Sequence, residues 1–267
     1  MGVNMEKKLE AFKRLLIIMD ELRAKCPWDK KQTFDSLRAN TIEETYELCD
    51  AIMKKDTKEI KKELGDVLLH IVFYSKIASE TNDFDIADVC NSLCDKLIFR
   101  HPHVFGEGNA KSAGEVEQSW EQIKQKEKDG NKSVLAGVPD ALPALIKCYR
   151  IQDKARNVGF DWKEKEDIWH KVEEELNEFK DEVHAMNQEK MEEEFGDLLF
   201  SMINAARLYK INPENALERC NRKFIRRFNH IEKRTKEENK ELSQLSLEEM
   251  DAYWDEAKRI ERENKQS

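Results

Sequence analysis

Two blocks of carboxylates stand at matching spacing: Glu44, Glu47, Glu63 and Asp66 in one, Glu175, Glu178, Glu194 and Asp197 in the other. Residues 43–66 lie over 174–197 without a gap. The identities are Glu43/Glu174, Glu44/Glu175, Glu47/Glu178, Asp50/Asp181, Glu63/Glu194, Gly65/Gly196 and Asp66/Asp197. All but the glycine pair are acidic, whereas apolar positions keep only their class, as in Leu48/Phe179, Ile52/Val183 and Leu64/Phe195. Packing tolerates such swaps; a cation shell does not tolerate the loss of its oxygens. A lone E-E-x-x-E, or the run Glu192-Glu193-Glu194, is ordinarily a solvated helix face, and retention in both copies is what argues for a site.

At about 100° per residue, Glu44 and Glu47 lie roughly 60° apart on one helix, and so do Glu63 and Asp66 on the next. A short turn between the helices brings the pairs together. Four like charges there raise one another's pKa unless a cation neutralises them. All-oxygen ligands select Mg²⁺, with Mn²⁺ as the alternative, over zinc or copper. A di-iron bundle needs Glu-x-x-His motifs, but Asp stands three residues after both Glu63 and Glu194. Because Mg²⁺ completes its shell with water and phosphate oxygens, a phosphate substrate is expected. Gly65 and Gly196 cost about 1 kcal/mol each in mid-helix, so a close backbone approach is expected at both.

Polyphosphate needs further cations. Lys223 and Arg227 stand at i and i+4, as do Trp254 and Lys258, and the first copy holds the same pairs as Lys96/Arg100 and Trp120/Lys124. Taken singly, each basic pair is ordinarily a solvated face and each Trp ordinarily core. Recurrence of both pairs in both halves points to a ligand role, in which the indole stacks on a base with little regard for its identity.

These residues need helices to hold them. Leu9, Phe12, Leu15, Leu16, Met19 and Leu22 recur at helical spacing, and that helix stops before Cys26-Pro27. A second helix is expected from Thr41, as N-cap, to the turn at 54–57, and a third from Lys58 to Ser79. The third carries the run 67–74, apolar nearly all round and therefore expected to be buried. A fourth runs from Ile86 to Arg100, ended by Pro102. A loop follows over 101–114, then a helix through Trp120 and Lys124. The Gly- and Pro-containing segment 129–143 is the expected linker between domains 1–128 and 144–267. Beyond it the order of helices restarts, with Gly159-Phe160-Asp161-Trp162 standing where Pro27-Trp28-Asp29 stood.

The 267 residues allow one large domain or two ordinary ones, and 9 Gly with 5 Pro favour long helices joined by short turns. The net charge of −9 argues against nucleic acid and anionic membranes as partners. No apolar run suits a membrane span or signal peptide, so a cytoplasmic location is expected. Cysteines 26, 49, 90, 94, 148 and 220 form no C-x-x-C pair and are expected as small buried hydrophobes in a reducing compartment.

E-E-x-x-E followed by E-x-x-D resembles the signature of the all-α nucleoside triphosphate pyrophosphohydrolases. With Cys26-Pro27-Trp28-Asp29, the run Arg100 to Phe105 and Gly159-Phe160-Asp161-Trp162, nearly the whole chain resembles the tandem form, the MazG family. The resemblance implies an all-α fold of tandem helical-bundle repeats of the all-α NTP pyrophosphatase type, assembled as an interlocked homodimer. It also implies Mg²⁺-dependent hydrolysis of NTPs and dNTPs to monophosphate and pyrophosphate, in a nucleotide-pool house-cleaning role. By the family's pattern Glu175, Glu178, Glu194 and Asp197 hold metal in the C-terminal copy. Nucleotide contacts fall at Lys171, Lys190, Lys223, Arg227, Trp254 and Lys258.

The copies differ around the acids. Asn40 and Glu59 stand where Lys171 and Lys190 stand, and no proline follows Arg227 as Pro102 follows Arg100. The C-terminal half is therefore expected to be the productive site, with Glu174 or Glu193 as the base and Lys223, Arg227 and Lys258 neutralising developing charge. Two other readings remain: a non-catalytic helical metal-binding or interaction module, which leaves the retained carboxylates unexplained, and a narrower dUTPase- or dCTPase-like enzyme.

Overall fold

A computed structural model describes residues 2–106, 116, 123 and 133–264, in which every regular element is helical. The chain divides into two compact units, Met1–Lys111 and Ser112–Ser267. The expected linker falls within the second. Trp120 and Lys124, with the helix expected to carry them, lie outside the described residues.

The first unit holds α1 (Gly2–Lys25), α2 (Phe34–Lys54), α3 (Thr57–Glu80), α4 (Ile86–Arg100) and the short α5 (Pro102–Phe105). The second holds α6 (Ala144–Arg156), α7 (Asp167–Ala185), α8 (Gln188–Leu208), α9 (Pro213–Glu237) and α10 (Leu247–Glu263). The same turn chemistry closes both central hairpins. A left-handed residue ends the first helix (Lys55 at φ 57°, Met186 at φ 55°), and the next residue, Asp56 or Asn187, caps the second by accepting backbone N–H bonds. The α2–α3 and α7–α8 hairpins thus start from equivalent positions, which puts the carboxylate pairs in register.

Helix α2 begins earlier than expected. Thr33, not Thr41, caps it: Thr33 Oγ1 accepts from Ser36 N at 3.1 Å, while Ser36 Oγ accepts from Thr33 N at 2.8 Å. Thr41 sits inside the helix, its hydroxyl 2.9 Å from Leu37 O and 2.9 Å from His70 Nδ1. The run 101–106 is not all loop, because Pro102 opens α5 at a first-turn position where its missing N–H costs nothing.

Met19, Leu37, Val72 and Phe73 form the first unit's core, with Phe12, Leu15 and Leu16 of α1 against them. Ile168, Val172 and Ala205 form a smaller core in the second unit, and Ile231, Leu245 and Tyr253 join α9 to α10. The expectation that α3 is buried all round is not met. Val72 and Phe73 are buried, but Leu64, Leu68 and Ile71 are exposed, and so are Phe195, Leu199 and Met202 at the matching positions of α8. Each hairpin packs one face and leaves an apolar stripe uncovered. The close approach expected at Gly65 and Gly196 is also absent among the described residues: a Cβ at either meets nothing of them within 4 Å. All six cysteines are free and none is buried.

Candidate functional site

The hairpins bring three carboxylates together in each unit. Glu44, Glu63 and Asp66 offer oxygens within 4.8 Å of one another, and so do Glu175, Glu194 and Asp197. Glu47 and Glu178 stand beside these triads, felt through their charge. Desolvation, then Asp66, Glu47 and Glu63, push the Glu44 carboxyl above its ordinary value. Glu178 is exposed at its surface, yet neighbouring protein desolvates it, and Glu175, Glu174 and Glu194 raise it further.

A cation suits both clusters. Glu63 is 3% exposed, and its buried Oε2 has no hydrogen-bond partner among the described residues. Its Oε1 is met by Lys62 Nζ at 2.8 Å. In the second unit Glu175 is buried, and Lys171 Nζ lies 2.7 Å from its Oε1 and 3.0 Å from Glu174 Oε1. Those hydrogen bonds, to Glu175 first and then Glu174, raise the Lys171 pKa. One buried carboxylate in each triad, Glu63 or Glu175, converges with two less buried ones beside a lysine counter-ion, an oxygen-only donor set that fits Mg²⁺ or Mn²⁺.

What borders the acids differs between the units. In the second, Lys171, Glu175 and Asp197 line a cavity of about 640 Å³ together with Ile151, Gln152, Trp162, Ile168, Phe200 and Asn204. That volume lies within the usual range for small-molecule sites. Helices α6, α7 and α8 form its walls with the turn 159–162. Gly159 adopts φ +91°, a conformation that side chains resist. The turn this permits brings Asp161 to Arg207, where Oδ2 accepts from Nη1 at 3.1 Å and Oδ1 from Nη2. Arg207 is buried, so the pair ties the turn to α8. Phe160, 80% exposed, borders the opening.

In the first unit, the cavity beside the acids is lined largely by charge, including Glu43, Glu47, Glu59 and Lys62. Continued along α3 and α8, the repeat register sets Phe73 opposite Asn204 and His70 opposite Ser201. Phe73 is buried in the core against Met19 and Leu37. An aromatic ring thus fills, in one copy, the position that borders open space in the other.

Sequence reasoning named neither the cavity nor Gln152, Asn204 and Arg207. The available signal was polar residues recurring at i and i+3 inside the apolar stretch 198–208. The remaining expected residues gather elsewhere. Arg227 donates to Glu261 from Nε (3.1 Å) and Nη2 (2.8 Å) and stacks its guanidinium 5.4 Å from the Trp254 ring centre. Lys258 pairs with Asp255 at 2.8 Å. Lys190, Lys223 and Glu193 are exposed. None of Lys190, Lys223, Arg227, Trp254 and Lys258 lines the cavity.

Repeated helical hairpins, each closing three carboxylates into one cluster, define a tandem all-α protein. A family model described as the MazG nucleotide pyrophosphohydrolase domain matches residues 32–105 and 163–232, and the chain belongs to that family. A Thermotoga maritima protein named nucleoside triphosphate pyrophosphohydrolase/pyrophosphatase MazG is 46% identical over 250 residues, covering 92% of this chain and 95% of the relative. An Escherichia coli K12 nucleoside triphosphate pyrophosphohydrolase is 43% identical over 255 residues, covering 93% and 97%. The crystal structure of a mazG-related protein from Thermotoga maritima is 27% identical with a TM-score of 0.38, over 42% of this chain and 98% of that one.

Proposed function

We propose that this protein hydrolyses nucleoside triphosphates, ribo and deoxy, to the monophosphate and pyrophosphate, and that its C-terminal unit is the productive site. The observation that carries this reading is the buried Glu175 with Asp197 on the wall of a mostly apolar cavity, a charged end for phosphates and an apolar chamber for a nucleoside. Glu175, Glu178, Glu194 and Asp197 would hold Mg²⁺, or Mn²⁺ in its place. When bound, the ion supplies charge neutralisation of the phosphates and acidifies water. Glu174 or Glu193 takes the proton of the attacking water. The water oxygen bonds the α-phosphorus as the bond to the bridging β-phosphate oxygen breaks, and the electron pair leaves with pyrophosphate. Lys171, on the cavity wall beside Glu175, orients phosphate oxygens; Lys190, Lys223, Arg227, Trp254 and Lys258 stand outside the cavity and take no part at its nucleoside end.

The first unit keeps Glu44, Glu47, Glu63 and Asp66 but has Asn40 and Glu59 for the two lysines and buries Phe73 toward its core. It binds a cation without turning over triphosphate at a comparable rate. The uncovered stripes on α3 and α8 are closed by a second copy of the chain in a homodimer. Incubation with each NTP and dNTP plus Mg²⁺ tests the reaction. Pyrophosphate as the inorganic product is expected; orthophosphate instead, or no turnover of any nucleotide, contradicts the proposal.

A further inference from the structure

We infer that Gln152 reads the nucleobase by accepting a hydrogen bond from it inside the cavity behind the C-terminal carboxylates; this rests on the triphosphate reading above. Gln152 lines the cavity from α6 and is 5% exposed. Its Nε2 donates to the Phe200 carbonyl at 2.8 Å and contacts Cys148 Sγ at 3.4 Å. A carbonyl can only accept, so the Phe200 contact fixes which end of the amide is nitrogen. The other end, Oε1, is buried and has no donor among the described residues. An unpaired buried acceptor costs about 1–3 kcal/mol, a cost that leucine or methionine at this position would avoid. A donor that arrives with the substrate removes it.

The rest of the cavity supports a base as that donor. Lys171, Glu175 and Asp197 mark the phosphate end, and Phe160 and Trp162 supply aromatic faces. A second amide is fixed in the same way. Asn204 Oδ1 accepts from Arg207 Nε at 3.1 Å and Nη2 at 2.8 Å, leaving Nδ2 to donate. Arg207 is in turn held by Asp161. The chamber wall thus holds one amide with an unpaired acceptor end and one with a donor end left over, each fixed by its partner before the substrate enters. Stacking is nearly indifferent to base identity, whereas a preset acceptor strongly rejects an analogue lacking the N–H it was built for.

The test compares kcat/KM of the full chain on natural triphosphates and on partners lacking the base donor. ATP is paired with purine riboside triphosphate, CTP with 2-pyrimidinone riboside triphosphate, and UTP and GTP with their N3-methyl and N1-methyl forms. The wild type should prefer the natural member of at least one pair by about tenfold or more, and Gln152→Leu should bring that ratio close to one. A ratio unchanged in Gln152→Leu overturns the inference. So does equality within every pair in the wild type, the result expected if water alone pairs Oε1, and that comparison decides even if the variant does not fold. Absence of pyrophosphate release from every triphosphate overturns instead the reading on which this one rests.

Discussion

At the residue scale, the site depends on charges kept out of water by specific partners. Arg207 is buried and meets Asp161 through two hydrogen bonds. Asp161 lies at the surface, and without its carboxylate Arg207 keeps only its bonds to Asn204, a loss of about 1–3 kcal/mol. Asp161→Asn should therefore lower the urea midpoint clearly, whereas a shift within that of a neutral surface variant would show the pair to be solvent-screened. The Arg23–Glu80 pair between α1 and α3 is different in kind. Its carboxylate is 41% exposed, so its worth is about 0.2–1 kcal/mol. The hydrogen bond from Arg23 holds Glu80 below its ordinary pKa, so this stability is present above the unfolded-state value and lost as pH falls through the folded one. Glu80→Gln should cost stability at pH 7 and progressively less as the pH falls below the ordinary carboxylate range; a loss that does not change with pH would assign the effect to packing.

At the element scale, helix α8 carries both the carboxylates Glu194 and Asp197 and the cavity wall at Phe200 and Asn204. Gly196 interrupts it with no neighbour within 4 Å of a Cβ. Gly196→Ala should raise the unfolding free energy by roughly 1 kcal/mol through helix propensity alone. A loss of stability would mean that this face is covered in the assembled protein. Helix α4 and both acidic hairpins were legible in the sequence, because Ile86 to Arg100 is closed by Pro102 and the carboxylates repeat at helical spacing. The start of α2 was not. Thr33 and Ser36 cap each other upstream of Thr41, whose hydroxyl answers instead to His70 and Tyr74 on the other helix of the hairpin. The cavity was illegible for a related reason. Periodicity tells which face of α6, α7 or α8 is apolar, but whether the space between them is filled depends on single residues, as Phe73 and Asn204 show.

At the scale of the whole molecule, the repeat holds two carboxylate clusters whose surroundings differ. The stripe of Leu64, Leu68 and Ile71, repeated as Phe195, Leu199 and Met202, leaves an uncovered apolar row on each unit, the kind of surface a partner covers. Sedimentation should give twice 31.5 kDa, and a monomer at micromolar concentration would contradict the homodimer. In the proposed division of labour, the carboxylates of the second unit, and not those of the first, carry triphosphate hydrolysis. Pyrophosphate release by Glu194→Lys and Glu63→Lys, measured side by side on the folded full chain with Mg²⁺, tests it most directly. Glu194→Lys should lose more than the ~100-fold that removal of even an outer partner of a metal site can cost, while Glu63→Lys keeps most of the wild-type rate. Equal losses in the two variants, or the greater loss in Glu63→Lys, would contradict it.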